Sequence, residues 1–268
     1  MSTAVDYRQV SAKYYDEAYA TKEDLEDLKF YVEMAKANAK ANGRPVLELA
    51  CGTGRILLPI ARQGISIHGI DSSQPMLNVL RDKLRQELKD VQELVSVSHG
   101  DIRNFRSNRE YPLVIIPFRP LQHMYTVEDQ VAALQTAAFH LEADGILIFD
   151  VFYPRFDSLN SKVGEELLEL EWTPKSDRSK VIRRYFRKES VDKINQNFTT
   201  TFIFRTYQGE KLVQEETESL RMSYYTYPHL RALFLLAGLQ IVEEYGSFER
   251  TPLDNQAEQM IFVLKKSS

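Results

Sequence analysis

The chain has 268 residues, 43% of them hydrophobic, enough to bury the core of one α/β domain carrying an insertion. Its formal net charge of −4 gives no global basic field, which argues against nucleic acid as partner. One cysteine, Cys51, excludes an internal disulfide or a cysteine-rich metal site. The opening residues lack the basic and apolar regions of a signal peptide and no apolar run is long enough to span a membrane, so a cytoplasmic location with no membrane partner is expected.

Tyr7, Tyr14, Tyr15 and Tyr19, with Asp16 among them, read as an N-terminal segment packing aromatics onto the body. Thr21 then caps a helix, with Asp24 at the capping-box position, Leu25, Leu28, Val32 and Ala35 on one face, and Gly43 past its end. Val46 to Leu49 has strand character, breaks at Gly52-Thr53-Gly54, and resumes from Ile56 to Ala61 at helical spacing. Strand, glycine turn and helix make a ligand cradle, because glycine allows positive φ and close approach while a helix start presents unpaired N–H groups. A dinucleotide site needs a third glycine, and Leu57 stands where it would be, which disfavours a nicotinamide-dependent oxidoreductase.

The full string Glu48-Leu49-Ala50-Cys51-Gly52-Thr53-Gly54-Arg55 resembles the first motif of the class I S-adenosylmethionine-dependent methyltransferases. Ala50 replaces the first glycine of that pattern, which still permits close backbone approach if its φ stays negative. Later segments fit the same family. The strand Ile65 to Asp71 ends in an acid, and a carboxylate there suits ribose hydroxyls. A helix from Pro75 to about Leu88 places Leu77, Leu80, Leu84 and Leu88 in the core. The strand Leu94 to Ser98 leads to Gly100-Asp101-Ile102, whose acid and apolar residue in this family meet adenine.

The fourth strand, Leu113 to Ile116, ends in Pro117-Phe118-Arg119-Pro120-Leu121-Gln122-His123-Met124. It lacks the motif of amino-directed DNA methyltransferases and the metal-binding aspartate of catechol-type enzymes, so no metal is expected. It looks like the small-molecule members, including those that methylate amino sugars and other amines, with His123 at their candidate active-site histidine. Arg119 suits either an acidic substrate group or a neighbouring carboxylate. A helix after Thr126 carries Val131, Leu134, Ala138 and Leu141 on its buried side. Glu142 to Gly145 then turns into a fifth strand, Ile146 to Phe152, with Asp150 and Tyr153 near its carboxyl end.

Residues 155–222 read as an antiparallel insertion, with long strands at Val181–Phe186, Phe198–Tyr207 and Leu212–Met222. Its aromatics are expected to cover the acceptor pocket, with homodimer formation through the same insertion left open. Thr226 caps a last helix, stopped by Gly238, before two final strands.

The resemblance implies one methyltransferase domain over 1–268: an N-terminal lid and helix (1–43), a cofactor-binding core (44–154), the insertion (155–222) and a C-terminal helix with two strands (223–268). The fold is expected to be α/β, a Rossmann-like seven-stranded, mostly parallel sheet flanked by helices. The lid matches Tyr15-Asp16-Glu17-Ala18-Tyr19. S-adenosylmethionine would be held at its methionine end by Gly52, Gly54 and the Ala50 backbone, with Arg55 paired to its carboxylate, by Asp71 at the ribose and by Asp101 and Ile102 at adenine, with Glu48 and Ser72 also in the set. Met76 and Pro117 complete that set. The acceptor is a small molecule, an amine first, with His123 handling its proton and Tyr15 or Tyr153 orienting it. Transfer to oxygen or carbon, and a non-catalytic cofactor-binding protein of this fold, are the alternatives.

Overall fold

The computed structural model describes residues 9–20, 26–39, 43–154, 156–160 and 162–267. Strand β1 (Val46–Leu49) is buried along its whole length, and β2 (Ile67–Asp71) and β4 (Tyr111–Ile116) nearly so. Strands apolar on both faces need cover on both faces, and two hydrophobic layers supply it. One packs Phe30, Tyr31, Ile56, Leu57, Leu77 and Leu80, from α2 (Glu26–Asn38), α3 (Leu57–Ala61) and α4 (Gln74–Leu84). The other packs Leu134, Phe149, Phe234 and Phe262 around α6 (Val127–Phe139) and α8 (Tyr227–Leu236).

The sheet has seven strands in the order β10 (Leu239–Tyr245), β11 (Gln259–Lys266), β5 (Leu141–Phe152), β4, β1, β2, β3 (Val95–His99). All pairs are parallel except those of β11, which runs against both neighbours. Chain order reverses between β1 and β4, the place where open α/β sheets bind ligands. After β5 and the short α7 (Phe156–Asn160) the chain forms a separate antiparallel meander, β6 (Glu166–Trp172), β7 (Lys180–Asp192), β8 (Asn197–Gln208) and β9 (Lys211–Ser223). This is the expected fold class.

Several local details depart from the sequence pattern. The buried face of α2 carries Asp27, Phe30, Tyr31 and Ala35, and leaves Leu28 and Val32 half-buried, because the aromatics take the core positions. Helix α4 stops at Leu84, and Leu88, 77% exposed, precedes a further short helix α5 (Lys89–Leu94). Strand β5 begins at Leu141, with a register shift against β4, where a turn through Gly145 is expected. Strand β6 has no alternating signal. Thr226 stands at the N-cap of α8 without a capping bond from its side chain. Tyr7, Thr21, Asp24 and Leu25 lie outside the described residues.

Helix α1 (Gln9–Ala20) straps the meander to the glycine turn. Tyr14 stacks on Phe204 at 4.7 Å and meets Trp172 edge-on at 6.1 Å, while Lys13 pairs with Glu216 at 2.7 Å. On the other side the Thr53 hydroxyl donates to Asp16 at 2.7 Å, and Lys83 donates to the same carboxylate at 2.9 Å.

Candidate active site

Two unusual loops leave adjacent strands at the switch point. After β1, Ala50, Gly52 and Gly54 all have positive φ (62°, 54° and 78°). Ala50 therefore does not keep the negative φ expected of it: the turn demands the left-handed region at a position where the family pattern has glycine, and alanine bears the cost, about 1–2 kcal/mol. A Cβ on Gly54 would stand 2.3 Å from Leu80 Cδ1, whereas one on Gly52 would meet nothing within 4 Å. After β4, Phe118 and Arg119 are consecutive left-handed residues, φ 66° and 69°. Such strain persists only where surroundings enforce it, and it clusters at functional sites.

In each case a buried aspartate from the end of the next strand does the enforcing. Asp71, ending β2, accepts from Gly52 N at 2.8 Å and Ser73 N at 2.7 Å. Asp150, near the end of β5, accepts on Oδ1 from Phe118 N and from the Tyr31 hydroxyl, both at 2.7 Å. Burial raises the Asp150 carboxyl above the usual range, opposed first by the charge of Arg119. Each Asp71 oxygen keeps a second lone pair, so the turn bonds leave acceptor capacity for a ligand hydroxyl.

The ring of Phe118 forms a wall. Tyr15 and Tyr19 of α1 meet it edge-on at 6.1 and 4.8 Å, and the Arg55 guanidinium lies 4.5 Å from its centroid. Arg55 forks onto Asp27 of α2 through two hydrogen bonds, one of 3.0 Å, so in this structure its charge is already met by a protein carboxylate. On one side of the wall is a small space of about 30 Å³ lined by Tyr15, Glu48, Ala50, Gly52, Met76 and Pro117. Glu48 Oε2 is buried there with no hydrogen-bond partner, and burial pushes its carboxyl well up. An orphaned acceptor beside an open glycine suits a ligand with a charged donor, such as the ammonium of an amino acid moiety.

On the other side is a cavity of about 440 Å³, within the usual size of small-molecule sites. Phe186, Phe198, Phe202, Phe204 and Met222 of the meander face Tyr15, Phe118 and His123 across it. His123 ends a single-turn 3-10 helix, Pro120–His123, whose Leu121 carbonyl accepts from Tyr225 at 2.7 Å. Tyr15 and His123 thus share the cavity, while Tyr153 lines a neighbouring chamber instead.

Asp71, Ser72, Asp101 and Ile102 line neither space beside the wall. Ser72 is exposed, with its carbonyl accepting from or facing His99 Nε2 at 3.0 Å. Asp101 is engaged by Arg103, Nη2 to Oδ2 at 2.6 Å, and that bond holds its carboxyl below the usual range. Ile102 is 5% exposed in the core. Sequence reasoning missed Asp27, Tyr31 and the Asp150 bonds, none of which has a local signal; the bracketing Pro117 and Pro120 were the one hint of a fixed loop.

A family described as a methyltransferase domain matches residues 46–145. Over 235 residues the chain is 23% identical to the cypemycin N-terminal methyltransferase of Streptomyces sp, covering 88% of each protein. The structure of the CcbJ methyltransferase from Streptomyces caelestis superposes with a TM-score of 0.79 over 98% of this chain and 99% of that one, at 24% identity. An amino pentose methyltransferase from Micromonospora echinaspora involved in calicheamicin biosynthesis, solved with S-adenosylmethionine bound, gives 0.70 over 94% and 96%, at 17% identity. The methyltransferase domain matched over residues 46–145 thus carries the glycine turn at the switch point of the sheet, and the chain as a whole has the fold of solved S-adenosylmethionine-dependent methyltransferases.

Proposed function

We propose that the chain methylates the amine of a small molecule held in the aromatic cavity, and that Phe118, which lines both that cavity and the glycine-lined space, flanks the path by which the amine reaches the cofactor methyl. The observation that carries this reading is the cavity itself: it abuts the glycine-turn wall and is closed by the meander and by α1. The similarity to an N-terminal methyltransferase and to an amino pentose methyltransferase supports nitrogen over oxygen or carbon.

S-adenosylmethionine supplies a sulfonium methyl open to in-line displacement by an amine lone pair. The protein's part is to align and to dry the site, and positioning of this kind can contribute roughly 7–11 kcal/mol. Aromatic faces and the Glu26 carboxylate in the same lining suit an incoming ammonium, Asp27 and Glu169 being paired with Arg55 and Arg184. An amine of pKa near ~10.4 must lose a proton before attack, and His123 is proposed to take it or relay it to water, worth about 10²–10⁴-fold. Tyr15 would orient the nitrogen, and Tyr153 a more distant part of the acceptor.

For the cofactor, Glu48 Oε2 would accept from the α-ammonium, with Ala50, Gly52 and Gly54 giving backbone approach and Met76 and Pro117 apolar walls. Asp71 and Ser72 are proposed at the ribose, Asp101 and Ile102 at adenine, and Arg55 as the bridge between cofactor wall and Asp27. Calorimetric titration with S-adenosylhomocysteine, alongside Asp71→Ala, tests the first half of the reading. Transfer of radiolabelled methyl to a panel of amines, with His123→Ala, tests the second. Turnover by His123→Ala within a few-fold of wild type across pH would remove its proton role.

A further inference from the structure

The main cavity continues past Phe152. Arg119, Phe152, Phe186, Phe198 and Gln259 line it and also line a second chamber of about 270 Å³. That chamber adds Tyr153, Lys188 and the exposed Glu258. Its polarity differs from that of the main cavity. Glu26, Asp27 and Glu169 belong to the first space alone, as does Arg184. Arg184 pairs with Glu169 at 2.9 Å and Arg55 meets Asp27, leaving Glu26 as the carboxylate of these three with no such cation among the described residues. Among the described lining residues of the second space Glu258 is the single carboxylate, beside Arg119 and Lys188.

Arg119 stands where the two spaces join, and its setting is costly for a residue with only a surface role. Its backbone is left-handed beside an equally left-handed Phe118, a pair pinned by Asp150. Its guanidinium lies 5.9 Å from the centroid of Phe118 and 5.8 Å from that of Phe152, so two rings restrict its orientation. Its Nε is buried and makes no hydrogen bond, since Asp150 Oδ2 is 4.0 Å away, beyond hydrogen-bond reach. Gln259 Oε1, on the same two linings, is also buried without a partner, and a side-chain amide can turn to offer its N–H₂ instead. Lys188, 5% exposed, brings a second positive charge to the chamber while donating to the Leu159 carbonyl at 3.3 Å. Buried polar atoms are rarely left unmatched, so an orphan guanidinium N–H at a chamber junction calls for an acceptor atom from a ligand. A planar guanidinium held by its backbone matches an oxyanion better than it matches any neutral group.

We propose that Arg119, with Lys188, reads a carboxylate or phosphate group on the methyl acceptor, which is therefore an amine with an acidic arm. Its nitrogen lies in the main cavity that Glu26 lines and its acid in the second chamber. This rests on the amine reading above and narrows it to acceptors carrying both charges.

The test uses protein saturated with S-adenosylhomocysteine, titrated calorimetrically with three matched probes: 3-phenylpropylamine bearing a para carboxylate, carboxamide or phosphate monoester. The charged probes are expected to bind at least about tenfold tighter than the carboxamide. Whichever of the two binds tighter identifies the acid. In Arg119→Ala the ratio should fall to within about twofold, and Arg119→Lys, which keeps the charge but not the fork, should recover part of it. Binding of both charged probes no tighter than the carboxamide by wild type overturns the proposal and leaves amine methylation standing. A ratio that survives Arg119→Ala overturns the role of Arg119. Normal binding of S-adenosylhomocysteine with none of the probes bound removes the amine reading and this inference with it.

Discussion

Replacing Asp150 by alanine should unpick the wall between the two ligand spaces. Asp150 is 2% exposed, and its Oδ1 is the acceptor for both the Tyr31 hydroxyl and the Phe118 amide at 2.7 Å. Alanine leaves two buried donors unmatched, at about 1–3 kcal/mol each. The carboxylate's own burial penalty, visible in its raised pKa, offsets part of this, so a net loss of roughly 2–4 kcal/mol is expected. For a chain of this size that lowers Tm by roughly 4–16 °C. Asp150→Asn keeps an acceptor oxygen and should recover at least half of the loss. Urea unfolding followed by far-UV circular dichroism measures both variants.

The loop gives a second readout. Phe118 and Arg119 hold left-handed conformations that cost about 1–2 kcal/mol apiece, and without the Phe118 N–H anchor that strain favours relaxation. Acceptor turnover should then drop by at least about tenfold in the alanine variant under conditions where it remains folded. Alanine within about 0.5 kcal/mol of wild type, with asparagine no better, would refute the idea that Asp150 holds the loop.

The two glycines of the turn should separate packing from ligand approach. Gly54→Ala meets Leu80, itself fully buried, and is expected to cost roughly 2–5 kcal/mol of stability by denaturant unfolding. Gly52→Ala meets no atom within 4 Å and should cost only about 1–2 kcal/mol, for its positive φ. Its affinity for S-adenosylhomocysteine by calorimetry should still fall about tenfold or more, and unchanged affinity would place the ligand away from Gly52. His68 lies between Tyr111 and Ser98 at 3.0 and 2.9 Å, and His140 Nε2 accepts from Ser107 N at 3.1 Å. Burial holds both histidines below their ordinary pKa, so the unfolded chain takes up protons first. Their contribution to stability is complete above about pH 6.5 and declines as pH falls below it. Tm should therefore drop between pH 7 and pH 5, less steeply in His68→Gln, and a level wild-type profile would refute this.

What the sequence disclosed was what short stretches determine. The turn at Gly52-Thr53-Gly54, the acid ending β2 and the long strands of the meander all follow from residues adjacent in the chain. What it hid depends on partners far apart. Arg55 looked available for a cofactor carboxylate because Asp27 comes from a helix whose apolar spacing pointed Leu28 and Val32 inward. A charged residue on a buried face leaves no trace in a hydrophobic pattern. Likewise neither Phe118 nor Arg119 is a residue type that announces positive φ, and Asp150 reads in the sequence only as an acid near the carboxyl end of its strand.

The two loops obey one rule. At the end of β1 a left-handed turn is tied by an aspartate from β2, and at the end of β4 a left-handed turn is tied by an aspartate from β5. In a parallel sheet the carboxyl ends of neighbouring strands lie side by side, so an acid finishing one strand is within reach of the amides leaving the next. The switch point puts β1 and β4 together, with β2 and β5 outside them, and the two tied turns therefore face each other across one crevice. One turn borders the glycine-lined space and the other contributes Phe118, the wall, and Arg119, the junction to the second chamber. Strain at these positions is then the means by which strand ends, ordinarily the loosest part of a sheet, hold two ligand spaces in fixed register.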